Sequence, residues 1–304
     1  MIGVVGLGAM GRGIATTLLR ERKDVMVFEI DKAKMKRIVA AGATAAPSAA
    51  DLSSQCQLIL VSLPNAQVTV DVLEKELLPH VKEDVVVIDT GTTVVRETRR
   101  MASLFRERRA YFVDAPVSGG PVGTAKGELF AFVGGDKEAV DKAWPTLKLL
   151  SKSRLTYCGP SGAGQITKGV NQLAMGLVNA AVVESIAYGA ASGVDESVLL
   201  EAIGGSDGFR DDVTRVGSQI VCGLGDAINY KYTEYEYFLD QADEIGFAAP
   251  IMRAVNRYIK PFPHDVIDNL NRPHPSLWGA LMGITKPEPN SKNVETQQGN
   301  RGTK

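Results

Sequence analysis

Lys168, Asn171 and Gln172 combine residue types and a spacing that suit acid/base chemistry. They occupy positions i, i+3 and i+4 of a helical pattern, so all three lie on one helix face. A lysine in a mostly apolar helix is expensive to bury unless it is used or paired. Burial lowers the pKa of an ammonium group, as an acid/base catalyst near neutrality requires. Spacing alone leaves a second interpretation open, in which this lysine extends from the helix start into solvent.

A glycine turn near the N-terminus has the pattern of a dinucleotide-phosphate site. It matches GxGxxG and consists of Gly6, Leu7, Gly8, Ala9, Met10 and Gly11. The motif is weak alone, but here it directly follows an apolar strand pattern and opens a helical one. Gly6 allows a tight turn, Gly8 lets the backbone approach a pyrophosphate, and Gly11 lets the helix pack on the strand. The N–H groups of the helix N-terminus then face the anion.

Glu29 follows the next apolar run, where a carboxylate hydrogen-bonds the ribose hydroxyls of a dinucleotide. A 2′-phosphate at that place would be repelled by Glu29, at a cost on the order of 4 kcal/mol for unit charges ~4 Å apart and an effective dielectric near 20. No arginine follows Glu29 immediately, and Lys32 is the nearest cation. The sequence therefore predicts NAD rather than NADP. The alternative is an ordinary strand-turn-helix with Glu29 facing solvent.

Ser118, Gly119 and Gly120 form a second glycine motif after a strand-like run. Two adjacent glycines expose backbone N–H groups, and the serine adds a hydroxyl. Such a loop can hold a carboxylate or a carbonyl oxygen. By itself the motif is equally compatible with a structural turn.

The elements that must position these residues change in character along the chain. The N-terminal half contains short apolar runs separated by helical patterns, at residues 2–5, 25–28, 58–61, 85–88, 111–113, 129–133 and 155–157. Runs that are apolar throughout suit parallel strands buried on both faces. This pattern predicts an α/β fold, with an N-terminal Rossmann-type doubly wound sheet over residues 1–158 followed by an all-α domain.

The second half is helical, and we assign residues 159–285 to a substrate and oligomerisation domain. Residues 163–191 contain no proline and no strand pattern, so they predict one helix of roughly 40 Å. It is apolar on most faces, which favours burial inside the domain, in a subunit interface, or both. Further helices are predicted over 196–203, 211–222, 232–245 and 250–259. The polar tail over 286–304 is predicted to be disordered.

Composition limits the classes of partner and compartment. The 304 residues carry a net charge of −1, which favours small-molecule partners over nucleic acid or an anionic membrane. Three widely spaced cysteines fit a reducing compartment, and three histidines lack metal-ligand spacing, so we expect a cytoplasmic protein without a metal. We expect no signal peptide, because a core strand begins at Ile2. We expect no membrane span, because Asn and Gln interrupt the most apolar stretch.

With its motifs in this order, the chain resembles the β-hydroxyacid dehydrogenase family, which includes 3-hydroxyisobutyrate dehydrogenase and tartronate semialdehyde reductase. The resemblance covers about residues 1–200. It rests on GLGAMG at 6–11, SLPN at 62–65, DTGTT at 89–93, DAPVSGGPVGTAKGELFAFVGG at 114–135 and GAGQITKGVNQ at 162–172.

The resemblance implies roles for these residues. Lys168 would be the general acid/base and Asn171 its partner or a substrate ligand. Ser118, Gly119, Gly120 and Gln172 would bind the substrate, and Leu63, Pro64 and Thr92 would line NAD. The family also implies a homodimer or homotetramer built through the long helix. The reaction would transfer hydride between nicotinamide and a short 3-hydroxy acid or its semialdehyde.

The chain departs from the family pattern in its last hundred residues. A Lys-Asp pair usually precedes the A-x-x-x-G-x-x-x-P stretch, here 242–250, but the matching positions hold Thr233 and Glu234, with Lys231 nearby. The tyrosines around them and the segment 260–285 are also unusual. Substrate identity therefore stays open. An imine reductase and a non-catalytic NAD-binding module are the alternatives, and Lys168 argues against both.

Overall fold

A computed structural model describes residues 1–152, 154–268 and 272–286. The chain forms two compact units, the first from residues 1–171 with 240–246, the second from residues 172–239 with 247 onward. The domain limits predicted at residues 158 and 285 stay predictions. The predicted disordered tail lies outside the described residues from residue 287 on.

The first unit is built on one mixed, mostly parallel sheet. Its strands are β1 (Ile2–Val5), β2 (Val25–Phe28), β3 (Thr44–Ala45), β4 (Leu58–Val61), β5 (Val86–Asp89), β6 (Tyr111–Asp114), β7 (Val117–Ser118), β8 (Phe130–Gly134) and β9 (Leu155–Gly159). The order is β3-β2-β1-β4-β5-β6-β8-β7, with β9 beside β8. All pairs from β3 to β6 are parallel, whereas β8 runs antiparallel to β6 and β7. The predicted doubly wound α/β class is confirmed.

Helices cover both faces of this sheet. They are α1 (Ala9–Arg20), α2 (Lys32–Ala40), α3 (Ala49–Gln55), α4 (Ala66–Val72), α5 (Val95–Glu107), α6 (Gly120–Lys126) and α7 (Lys137–Leu150), with a π-helical turn at Leu73–Leu77. Side chains alternate between two cores, so Val86 and Ile88 pack on one face while Val87 packs on the other. Burial on both faces is the reason that the strands read as continuous apolar runs.

The long helix α8 spans Ala163–Ala191, as the sequence predicts. Its first turns belong to the first unit, and the helix from Gln172 onward belongs to the second. By length and composition α8 is apolar enough to cross a membrane. The core helix of a soluble protein meets the same criteria, so this property does not distinguish the two.

In the part of the chain that the structure describes, the elements that follow are helical apart from one antiparallel pair of short strands. They are α9 (Glu196–Ile203), α10 (Gly208–Val221), α11 (Tyr235–Glu244), α12 (Pro250–Ile259), β10 (Val266–Ile267), β11 (Pro273–His274) and α13 (Leu277–Leu281), with 3₁₀ turns at Gly225–Ala227 and Tyr232–Glu234. A β-carbon at Gly217 would lie 2.9 Å from the side chain of Leu200 and 3.0 Å from that of Ile186. Glycine therefore allows α10 to pack closely on α8 and α9.

Candidate active site

The predicted cofactor residues follow the carboxyl ends of neighbouring parallel strands. The glycine turn follows β1, Glu29 follows β2, Leu63 and Pro64 follow β4, and Thr92 follows β5. These four strands are consecutive in the sheet. Because carboxyl ends of parallel strands share one edge, the structure places all these residues at one edge of the sheet, where α/β folds bind ligands.

The glycine turn has the geometry of an anion cradle. Gly6 has φ +89°, and a β-carbon there would lie 2.3 Å from the carbonyl oxygen of Ser62. At Gly11 a β-carbon would lie 2.0 Å from the carbonyl oxygen of Gly6, so α1 packs directly on the turn. Gly8 is exposed, a β-carbon on it would meet nothing within 4 Å, and as the N-cap of α1 it makes no side-chain capping bond. The open N–H groups fit a pyrophosphate.

The carboxylate of Glu29 is fixed against this turn. Its Oε2 accepts a hydrogen bond of 2.7 Å from the N–H of Leu7, and its Oε1 accepts one of 3.0 Å from the N–H of Asp31. The residue is half-buried. Two oxygens offer about four acceptor positions, so the carboxylate can also accept bonds from ribose hydroxyls.

Lys168 and Asn171 both reach the second glycine motif. Lys168 is buried, with 6% of its surface exposed, and its Nζ donates to the carbonyl oxygen of Val117 at 2.8 Å. Asn171 Nδ2 donates to Ser118 Oγ at 3.4 Å. Lys168, the predicted acid/base, and Asn171, its predicted partner or a substrate ligand, therefore both lie beside the predicted anion-binding motif. They follow their bonding partners, Val117 and Ser118, by 51 and 53 residues in the chain.

Backbone conformation explains the two glycines of this motif, which lies at the junction where β7 ends at Ser118 and α6 begins at Gly120. Gly119 has φ +128° and Gly120 has φ +61°, values that favour glycine. A β-carbon at Gly119 would lie 3.2 Å from Leu129, whereas one at Gly120 would meet nothing within 4 Å. The loop thus presents open backbone at Gly120 next to the half-buried Ser118.

Gln172 lies one turn after Lys168 and takes part in a buried polar cluster of the second unit. Its Nε2 donates to Glu234 Oε1 at 3.4 Å. Glu234 also pairs with Arg272 at 2.8 Å, and Arg272 pairs with Asp268 at 2.7 Å. Burial lowers the pKa of Arg272, but the carboxylates of Glu234 and Asp268 raise it above its ordinary value overall. Glu234, one of the departures from the family pattern, therefore belongs to a buried ion-pair cluster.

Three of the unusual tyrosines, Tyr230, Tyr232 and Tyr235, pack against one another. Tyr230 packs against Tyr232, Tyr235 and His274 with ring centroids 6.0–6.4 Å apart, and its hydroxyl donates to the carbonyl oxygen of Pro275 at 2.9 Å. Burial of the Lys231 side chain lowers the pKa of its ammonium group. The unfamiliar segment thus builds an aromatic and ionic core of its own.

Two buried carboxyl groups beneath the site were not selected by the sequence reasoning. Asp114 accepts hydrogen bonds from the N–H groups of Gly162 at 2.9 Å and Gln165 at 3.1 Å, so it caps the N-terminus of α8 from a distant strand. Asp89 accepts bonds from Thr93 Oγ1 at 2.6 Å and from the N–H of Gly91 at 2.9 Å. Burial raises the pKa of both groups, to about 7 for Asp89.

The side chain of Gln165 was also missed. It is 2% exposed, its Oε1 accepts from the N–H of Thr93 at 3.0 Å, and its Nε2 donates to the carbonyl oxygen of Gly91 at 2.9 Å. Asp89, Asp114 and Gln165 lie inside motifs that carry the family resemblance. The motifs single out these residues, but the spacing of the motifs does not predict which groups they bond.

Comparison with known proteins agrees with this geometry. Residues 1–159 match the family model for the NAD-binding domain of 6-phosphogluconate dehydrogenase. The chain is 34% identical over 209 residues to the NAD-dependent L-serine dehydrogenase of Pseudomonas aeruginosa, covering 68% of this chain and 70% of that protein. These matches show that this chain and the Pseudomonas enzyme belong to one family.

Solved structures show the fold. The 3-hydroxyisobutyrate dehydrogenase of Mycobacterium tuberculosis, solved with L-serine, is 21% identical and has a TM-score of 0.76, covering 93% of this chain and 98% of that one. An imine reductase of Streptomyces aurantiacus is more distant, at 19% identity and a TM-score of 0.59, covering 84% of this chain and 92% of that one. This chain has an NAD-binding first domain and belongs to the β-hydroxyacid dehydrogenase family.

Proposed function

We propose that this chain is an NAD-dependent dehydrogenase of a short 3-hydroxy acid, working in either direction between the alcohol and its semialdehyde. The observation that carries the proposal is the buried ammonium group of Lys168, held 2.8 Å from the Val117 carbonyl beside the Ser118 loop. A buried lysine next to open backbone N–H groups suits proton exchange with an oxygen of a bound anionic substrate. The L-serine of the Pseudomonas relative is such a 3-hydroxy acid.

Residues of the first unit would bind the cofactor and the substrate. The glycine turn would hold the pyrophosphate, Glu29 would hold the ribose, and Leu63, Pro64 and Thr92 would line the nicotinamide half. Ser118 Oγ and the N–H groups at Gly119 and Gly120 would bind the substrate carboxylate, as a loop of this shape can. Asn171, bonded to Ser118, would keep that hydroxyl oriented.

The chemistry has two parts that must coincide. NAD, when bound, would supply the nicotinamide ring that accepts a hydride from the carbon carrying the hydroxyl group. Lys168 in its neutral form accepts the hydroxyl proton while the C–O bond gains double-bond character. In the reverse direction its ammonium form returns that proton to the carbonyl oxygen. Burial excludes water, which strengthens these interactions at the reacting atoms.

Replacing Lys168 with alanine tests the mechanism. We expect turnover to fall by about 10² to 10⁴-fold, as for the loss of an acid/base group, while NADH affinity changes little. Lys36, exposed on α2, provides the control variant Lys36→Ala. Unchanged turnover in Lys168→Ala would reject the mechanism.

A substrate panel tests the substrate class. NADH formation is followed with 3-hydroxyisobutyrate, glycerate, L-serine and threonate, and NADH consumption with cyclic imines. We expect activity with one or more hydroxy acids and none with imines. Activity confined to imines would favour the imine reductase alternative, and NAD binding without any turnover would favour the non-catalytic module.

We further propose a soluble cytoplasmic homo-oligomer that uses α8 as an interface. Apolar side chains on this helix are exposed in the single chain, including Val170 at 63% and Tyr188 at 77%. Burial of such area stabilises association by about 25 cal/mol per Å² before entropic costs. Light scattering should give a dimer or tetramer mass, and Tyr188→Glu should lower it. A monomeric wild-type protein would contradict this proposal.

A further inference from the structure

We propose that Gln165 is a positioning residue that links the loop lining the cofactor to the helix carrying Lys168, so that cofactor affinity and proton transfer depend on one side chain. The loop is residues 90–94, between β5 and α5. The inference rests on the proposed function, since it assigns Thr92 to the cofactor and Lys168 to proton transfer.

The amide of Gln165 bonds to both neighbours of Thr92. Its Nε2 donates to the carbonyl oxygen of Gly91 at 2.9 Å, and its Oε1 accepts from the N–H of Thr93 at 3.0 Å. Both partners are backbone groups, so the amide fixes the loop conformation itself. Since one partner accepts and the other donates, the orientation of the amide is determined by its environment. Thr92 is thereby held between two fixed points.

The other end of the link is the first turn of α8. The N–H of Gln165 donates to Asp114 at 3.1 Å, together with the N–H of Gly162 at 2.9 Å. A carboxylate at a helix N-terminus also interacts favourably with the helix dipole. Lys168 follows Gln165 by three residues in the same helix. The position of the lysine therefore depends on the turn that Asp114 caps and that Gln165 attaches to the loop.

Burial makes this link more than a surface contact. Gln165 is 2% exposed and Thr93 is 4% exposed. Removing the amide leaves the buried N–H of Thr93 and the half-buried carbonyl oxygen of Gly91 without their partner, which is more unfavourable than losing an exposed bond. The loop and the helix would relax independently, and both predicted functions would weaken together. Lys168→Ala, by contrast, would affect turnover alone.

The first experiment compares Gln165→Met with Ser53→Ala. Methionine has a similar volume but cannot form either amide bond. Ser53 is a matched control, because it is 0% exposed and donates one buried hydrogen bond of 2.9 Å to the Leu77 carbonyl, away from the site. We expect Gln165→Met to raise the Kd for NADH about tenfold and to lower kcat about tenfold, the scale of one hydrogen bond. Ser53→Ala should lower Tm without changing either value.

The second experiment uses Gln165→Glu and pH. A protonated glutamic acid can accept from the Thr93 N–H and donate to the Gly91 carbonyl, whereas the carboxylate cannot donate. Charged groups near this position include Asp89, which bonds to Thr93, and Asp114, which bonds to the Gln165 N–H. Lys168 follows three residues later in α8, and Arg99 lies beside Gly162. We expect near wild-type NADH affinity at pH 5.5 and a loss approaching that of Gln165→Met at pH 9. The ratio of Gln165→Met affinity to wild-type affinity should be the same at both pH values, because Asp89, whose pKa is about 7, titrates in both proteins.

Two results would overturn the inference. One is a Gln165→Met protein with lowered Tm but unchanged Kd and kcat, which would make the residue structural only. The other is a Gln165→Glu protein whose NADH affinity relative to wild type does not vary with pH. The affinity measurements need no substrate, so they remain decisive even if every hydroxy acid in the panel fails. If Gln165→Met does not fold, Gln165→Glu at the two pH values provides the test.

Discussion

Asp89 and Asp114 lie opposite each other at the carboxyl ends of two neighbouring parallel strands, β5 and β6. Both are fully buried. Each carboxyl group bonds a different part of the site, Asp89 the loop at Gly91 and Thr93, Asp114 the start of α8 at Gly162 and Gln165. Protonation of either carboxyl group therefore changes the hydrogen bonds that hold the cofactor loop or the start of α8.

The first prediction concerns stability as a function of pH. Burial raises the pKa of Asp89 from 3.8 to about 7, against the hydrogen bonds from Thr93 and Gly91. Between about pH 4 and pH 7 the folded protein keeps a proton that the unfolded chain releases, so stability falls as pH rises through this window. Asp89→Asn should flatten this slope. Urea unfolding at pH 5, 6, 7 and 8 measures how the free energy of unfolding changes with pH. Glu107→Gln, at an exposed position, is the control. Equal slopes in Asp89→Asn and wild type would contradict the raised pKa of Asp89.

The second prediction separates cofactor binding from folding in the glycine turn. A β-carbon at Gly8 meets nothing within 4 Å and its φ of −60° suits alanine, so Gly8→Ala should keep wild-type Tm. The added methyl group occupies the space a pyrophosphate needs, so NADH affinity should fall by more than about tenfold. Gly11→Ala should instead lower Tm, because its β-carbon would lie 2.0 Å from the Gly6 carbonyl oxygen. Calorimetry and NADH titration distinguish the two; equal NADH affinity in Gly8→Ala and wild type would refute the cradle.

The third prediction concerns the choice of dinucleotide. Wild type should prefer NADH, because the Glu29 carboxylate would repel a 2′-phosphate. Glu29→Gln removes the charge but disturbs the bond to the Leu7 N–H, so affinity for NADH should fall modestly. The preference for NADH over NADPH should shrink by about ten- to a hundredfold, since solvent screens a half-buried group. Titrations with both cofactors measure the ratio, and a ratio that does not change would remove Glu29 from the ribose site.

The fourth prediction addresses the ion cluster of the second unit. The side chains of Glu234 and Asp268 are 3% and 2% exposed, and Arg272 pairs with both. Arg272→Met should destabilise the protein by about 3 kcal/mol, because it leaves buried carboxylates without their cation. Combining it with Glu234→Gln should recover part of that loss. Urea unfolding of both variants provides the measurement, and a loss below about 1 kcal/mol would show that other contacts hold these carboxylates.

Much of the fold could be read from local sequence. The strand runs, the glycine turn and the bounds of α8 follow from periodicity and from the conformations that glycine alone adopts easily. The ends of the elements follow less directly from the local sequence. Helix α10 begins at Gly208, three residues before the predicted start, and residues 232–234 form a 3₁₀ turn ahead of α11. These ends depend on capping and on packing beyond the local pattern.

The sequence by itself determined a dinucleotide cradle, a carboxylate beside it and a lysine on a long helix, because each of these features depends on residues that lie close together in the chain. Only the tertiary structure decided how they are joined. Asp114 reaches α8 across 48 residues, Gln165 reaches Thr93 across 72, and Arg272 reaches Glu234 across 38. Such contacts depend on which strands and helices become neighbours in space, and no short-range pattern of residue types encodes that choice.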